Sequence, residues 1–229
     1  MDFLGNIKKL INKLGKSAKN AAKLGKTLMT SAKVNSRLPL TGINLLAAEI
    51  SSQAYKKPSE RKEHVGNYTY VPDLSDAENA VYKGSSTIFV AARGSTTARD
   101  WVISDVKIAG GKEATSARTK SYIEKIQKVK SAFPKMKIIL TGHSLGGNLA
   151  KEGSKQLNLK SITFNQGCGL GCMRDNEVCG SSFRPKWCSK IVNHKITGDM
   201  LSRLTQMGRT HVYNKKPGTS LSHSMQNFL

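Results

Sequence analysis

Residues 142–147 read Gly-His-Ser-Leu-Gly-Gly, and they place one serine where a hydroxyl can become a nucleophile. Before them runs the apolar stretch Ile138-Ile139-Leu140, and after them comes Asn148-Leu149-Ala150. The pattern G-x-S-x-G in that setting reads as strand, sharp turn and helix, with Ser144 at the apex. Side chains at positions 142 and 146 would collide across so tight a turn, which accounts for the two glycines. Such a turn lifts the serine oxygen above a sheet and makes the Leu145 amide one half of an oxyanion hole. The positive end of the following helix favours negative charge at the same spot.

A serine hydroxyl at neutral pH needs a base, and the base needs a carboxylate to orient it. With an elbow of this kind the chain order is serine, acid, histidine. The acids after Ser144 include Glu152, Asp175, Glu177 and Asp199. Glu152 sits on the elbow helix and points along it, and Asp175 and Glu177 fall in a cysteine-rich loop. Asp199 follows the alternating stretch 190–197 through Thr197-Gly198, at the carboxyl end of a strand, and is the expected acid. Of the later histidines, His211 lies within a strand pattern, whereas His223 sits in a polar loop at 220–224 and is the expected base. His143 cannot reach around the turn and is expected to be structural.

The elements that must position these groups follow from periodicity. Residues 43–55 and 116–133 have helical spacing, the second stopped by Pro134. Residues 67–70, 80–83, 161–164, 190–197 and 211–214 read as strands, and 87–92 is a continuous apolar run of the sort covered on both faces. Residues 56–64 read as a polar loop. Strands alternating with helices predict an α/β architecture, a mostly parallel central sheet flanked by helices, over residues 39–229.

Residues 1–38 differ from the rest. The formal net charge of the 229-residue chain is +22, and residues 1–40 hold nine Lys/Arg against Asp2 alone. Leu4, Ile7, Ile11, Leu14, Ala18, Ala21 and Leu28 step at helical spacing, with lysines mainly on the other faces. Seven lysines near the centre of a bilayer would cost on the order of 20 kcal/mol. Lying flat on an anionic surface instead gains up to ~1 kcal/mol per lysine. A basic amphipathic helix on an anionic membrane surface is therefore the expectation, with nucleic-acid binding or packing on the domain as alternatives. No secretory leader and no transmembrane helix are expected, which leaves peripheral membrane association.

The residues quoted so far make residues 43–229 similar to a class 3 (fungal-type) lipase of the α/β-hydrolases. The elbow at 142–147 matches that family, and Arg93-Gly94-Ser95 with Asp100-Trp101 matches its second signature. The resemblance implies a Ser144–His223–Asp199 triad, and an oxyanion hole from the amides of Ser95 and Leu145. It also implies a lid at about 96–105, with Trp101, Val102 and Ile103 as its apolar face; a plain core role for Trp101 is the alternative. The implied activity is a serine esterase or lipase on phospholipid or acylglycerol, without a cofactor. The rival is a membrane-lytic or nucleic-acid-binding protein in which hydrolysis is secondary. Ala92 stands where the family has Phe, and Asn165-Gln166 replaces Gly-x-Pro, so substrate range is expected to differ.

The four cysteines, Cys168, Cys172, Cys179 and Cys188, fall in a glycine-rich loop at 167–189. Two disulfides, a zinc site or free thiols all fit, the zinc option being weakened by the lack of a C-x2-C pair.

Overall fold

Alternation along two apolar runs builds the core. In strand β4 (Thr87–Ala92), Phe89 and Ala91 face one side of a sheet, and Ile88, Val90 and Ala92 the other. In β5 (Lys137–His143), Ile139 goes with the first side, and Ile138 and Leu140 with the second. Both faces are covered, so both strands are apolar through most of their length. The computed structural model describes residues 38–95, 117–167, 170–199, 201–202 and 207–229. The basic segment 1–38, apart from Leu38, lies outside them, as do Trp101, Val102, Ile103 and Cys168.

Eight strands form one sheet in the order of the chain. Strands β1 (His64–Val65), β2 (Tyr68–Tyr70) and β3 (Asn79–Lys83) pair antiparallel up to β4. From β4 onward the pairing is parallel, through β5, β6 (Lys160–Phe164), β7 (Ile191–Ile196) and β8 (Arg209–Tyr213). Parallel neighbours need crossovers, and here these include helices α2 (Ala117–Ala132) and α3 (Leu145–Leu157). Helix α1 (Gly42–Gln53) covers the first face, and α2 and α3 pack on the second. Polar pairs pin the layers: Ser51 Oγ lies 2.8 Å from Thr141 Oγ1, and Tyr122 donates to the Val90 carbonyl at 2.8 Å. Among the described residues no helix is long and apolar enough to cross a membrane.

Two expectations need correction. The cysteine loop contains a helix, α4 (Leu170–Gly180), and the last residue of the stretch read as a polar loop, His64, opens strand β1. Glycines and low helical periodicity hid α4, which tertiary contacts hold in place. Asp175 on α4 reaches back to α3, with Oδ2 2.8 Å from Lys151 Nζ and Oδ1 2.6 Å from Lys155 Nζ. Cys179 near the end of α4 is bonded to Cys188, with Cα atoms 5.6 Å apart, and Cys172 is disulfide-bonded as well. Sulfurs committed to disulfides are not thiolate donors, so the zinc option at Cys172, Cys179 and Cys188 falls away.

Candidate active site

The sharp turn between β5 and α3 forms because nothing bulkier than hydrogen fits at its two glycines. A Cβ on Gly142 would meet the Gly146 carbonyl at 2.4 Å, and one on Gly146 would meet the Ala92 carbonyl oxygen at 2.1 Å. Ser144 between them has φ 58° and ψ −127°, a conformation costing a non-glycine residue about 1–3 kcal/mol. Three backbone bonds hold it there. Its N–H donates to Phe164 at 3.1 Å, and its carbonyl accepts from Asn148 at 3.2 Å and Gly167 at 2.9 Å. The strain presents the hydroxyl at the carboxyl end of the sheet, where α3 begins.

His223 meets it there. Its Nε2 lies 2.8 Å from Ser144 Oγ, and its Nδ1 lies 2.9 Å from Asp199 Oδ1. Asp199 follows β7 and is buried; its Oδ2 accepts the Ser202 amide at 3.0 Å and also the Ser202 hydroxyl. Burial pushes this carboxyl up, but hydrogen bonds from His223 and Ser202 outweigh it and hold it below the usual carboxylate range. An ionised carboxylate can only accept, so Nδ1 of His223 carries a proton and Nε2 is left to accept from the serine hydroxyl.

The loop bearing His223 is anchored by buried amides. Asn227 donates to the carbonyls of Leu221, Ser222 and Ser224 at 2.9, 3.2 and 3.0 Å. Its Oδ1 accepts from the Lys216 amide at 3.0 Å and the Thr219 hydroxyl at 2.8 Å. Asn165, at the end of β6 with φ 39°, donates to the Ser222 carbonyl at 2.8 Å and accepts from the Ile196 amide at 2.9 Å. In the sequence Asn165 stands out only as a departure from a family pattern, and Asn227 does not stand out at all. Polar loop residues carry no periodicity that would mark them.

His143 does more than fill space. Its Nε2 lies 2.6 Å from the His223 carbonyl oxygen and its Nδ1 lies 2.9 Å from the Tyr55 hydroxyl. Its side chain thus reaches the backbone of His223.

Ser95 follows β4 through Arg93-Gly94, which runs beside the elbow. A Cβ on Gly94 would lie 2.8 Å from the His143 carbonyl oxygen and 2.0 Å from the Tyr55 hydroxyl. Leu145 is the first residue of α3, where an amide has no intrahelical acceptor. The structure therefore brings Ser144, Asp199 and His223 together, with Leu145 adjoining. His211 lies apart on β8, stacked on His194 with ring centroids 5.1 Å apart.

The sequence matches the Tle-like phospholipase domain over residues 48–225. This chain belongs to the Tle-like phospholipase family. Membership makes the Tle-like domain a carboxylic-ester hydrolase that acts on lipid, in keeping with the lipase resemblance read from the elbow. The fold is shared with the lipase from Rhizopus microsporus var. chinensis, at TM-score 0.53 and 17% identity over 82% of each chain. It is shared too with a fungal lipase solved with an inhibitor, at TM-score 0.50 and 18% identity, covering 69% of this chain and 71% of that one. No curated protein sequence matches the Tle-like chain.

Proposed function

We propose that the domain at 39–229 hydrolyses a carboxylic ester of a phospholipid or acylglycerol through an acyl-enzyme on Ser144. His223 Nε2 takes the Ser144 proton as Oγ attacks the ester carbonyl. Asp199 holds the ring in the tautomer this requires and stabilises the imidazolium that forms. The oxyanion is met by the amides of Ser95 and Leu145. His223 then passes its proton to the leaving alcohol, the ester C–O bond breaks, and water attacks the acyl-enzyme with His223 again as base. The observation that carries this reading is the pair of His223 hydrogen bonds, one to Ser144 and one to Asp199. The phospholipase family membership favours phospholipid over acylglycerol.

Trp101, Val102 and Ile103 form the apolar side of a lid in this reading, and residues 1–38 dock on anionic lipid. The tail keeps the site at its substrate and raises effective concentration without touching the chemistry.

The test is turnover and product analysis. Ser144→Ala should abolish hydrolysis of a short p-nitrophenyl ester without unfolding the protein, and retained turnover would sink the assignment. Asp199→Ala and His223→Ala should show losses of similar order, because triad members act as a unit. Profiling released lipids by class, wild type against Ser144→Ala, identifies the substrate. Deleting residues 1–38 should spare the soluble ester and lower activity on anionic vesicles ~10-fold, since two lysine contacts at ~1 kcal/mol each suffice. Equal activity of both forms on those vesicles would reject the tail's role.

A further inference from the structure

The amino ends of β4, β5, β6 and β7 meet around a cavity of about 550 Å³ at the foot of the sheet. This is within the size range of small-molecule sites, roughly 300–1,000 Å³. Four lysines line it, Lys130, Lys137, Lys160 and Lys190, together with apolar side chains that include Ile139 and Val192. No acidic residue lines it among the described residues. Lys190 Nζ donates to the Asn158 carbonyl at 2.6 Å, and Asn158 lines the cavity too. Four ammonium groups around one concavity raise a local positive potential that an anion relieves. The apolar side chains of the same lining suit a hydrocarbon chain.

We propose that this cavity binds a single long-chain fatty acid, its carboxylate on the lysines and its chain over Ile139 and Val192. The choice of ligand rests on the catalytic reading, because a fatty acid is what hydrolysis of a lipid ester releases. A bilayer is the wrong occupant. Lys137 opens β5 and Ser144 follows its last residue, so seven residues at about 3.3 Å each separate foot from nucleophile. A protein standing on its foot would hold Ser144 about 20 Å further from the lipid. Nucleic acid is a poor fit as well, since among the described residues no aromatic side chain lines the cavity for base stacking.

The experiment is equilibrium dialysis of oleate below its micellar concentration. The samples are wild type, wild type capped at Ser144 by a small phosphonate, and Lys137→Glu/Lys160→Glu. The capped protein should still bind one oleate. The charge-reversed variant should bind at that site at least ~10-fold more weakly while hydrolysing a short soluble ester at the wild-type rate. Oleyl alcohol, which lacks the charge, should bind at least ~10-fold more weakly than oleate. Undiminished oleate binding by the charge-reversed variant, or oleyl alcohol binding as tightly as oleate, would overturn the site. If Ser144→Ala kept its esterase activity the catalytic reading would fall, while the comparison of wild type with the charge-reversed variant would still decide the cavity.

Discussion

His143 Nε2 lies 2.6 Å from the backbone carbonyl oxygen of His223. A carbonyl only accepts, so Nε2 carries the proton and Nδ1, 2.9 Å from the Tyr55 hydroxyl, accepts from it. The residue before the proposed nucleophile thereby holds the backbone of the proposed base. His143→Ala should lower kcat on a soluble ester ~10- to 100-fold with KM nearly unchanged, since a misplaced base acts on the chemical step. His143→Gln, which keeps an amide donor, should recover part of the loss. Equal kcat for wild type and His143→Ala would remove the positioning role.

Asn227 is the hub of the loop that bears His223, with five hydrogen bonds to that segment. Truncation to alanine removes all five, and a typical hydrogen bond contributes about 0.5–1.5 kcal/mol net. Asn227→Ala should therefore lower stability by about 2–3 kcal/mol, or about 5–10 °C in Tm for a domain of this size. Thermal unfolding checks it, and a change under 1 °C would show that the loop holds without this side chain.

Acid should weaken the fold well before the carboxylates protonate. Burial draws the imidazoles of His143 and His194 down to about 3, with His223 beside the first and His211 stacked on the second. Unfolded histidines titrate near 6.5, so between these values the unfolded chain binds more protons and stability falls as pH drops. From pH 7 to 5 each histidine accounts for about 2 kcal/mol of that loss. Asp175 and Asp199 contribute at lower pH. Both are held below the usual range although burial opposes it, so their stabilisation is present above about pH 4 and lost below. A calorimetric pH series should show Tm declining from pH 7 to 5, and the slope should shrink by about half in His194→Gln. A flat profile over that interval would refute the assignment.

Lys151 is 1% exposed and lies between Glu152 and Asp175. Burial pulls its pKa down, but the two carboxylates more than reverse this and keep it charged. Lys151→Met would leave two carboxylates buried without their shared cation, at a cost of about 3–5 kcal/mol. Replacing Lys151, Glu152 and Asp175 together by apolar residues should cost less than replacing Lys151 alone. Denaturant unfolding of both variants makes the comparison, and a larger loss in the triple variant would contradict it.

What the sequence made legible follows physical lines. The strands β4 and β5 show as apolar runs because both faces are buried, and the elbow shows because its glycines are sterically required. His223 and Asp199 could be picked by elimination, since chain order and strand ends leave few candidates. Helix α4 was not legible, because Lys151, Lys155 and the Cys179–Cys188 bond stabilise it from outside its own sequence. Asn165, Asn227 and the His143–Tyr55 pair were missed for a related reason. Their partners are backbone carbonyls, or side chains 88 positions away, which no local pattern announces.

The anchoring of the His223 loop also bears on the safety of the cell that makes the protein. Tyr55, His143, Asn165 and Asn227 come from four separate parts of the chain, and together they seat one loop. In the proposed mechanism Ser144 has no partner to accept its proton until residues 216–228 dock. On that mechanism half-folded chains would be unable to cleave lipid esters, and the activity would arrive only with completed tertiary structure.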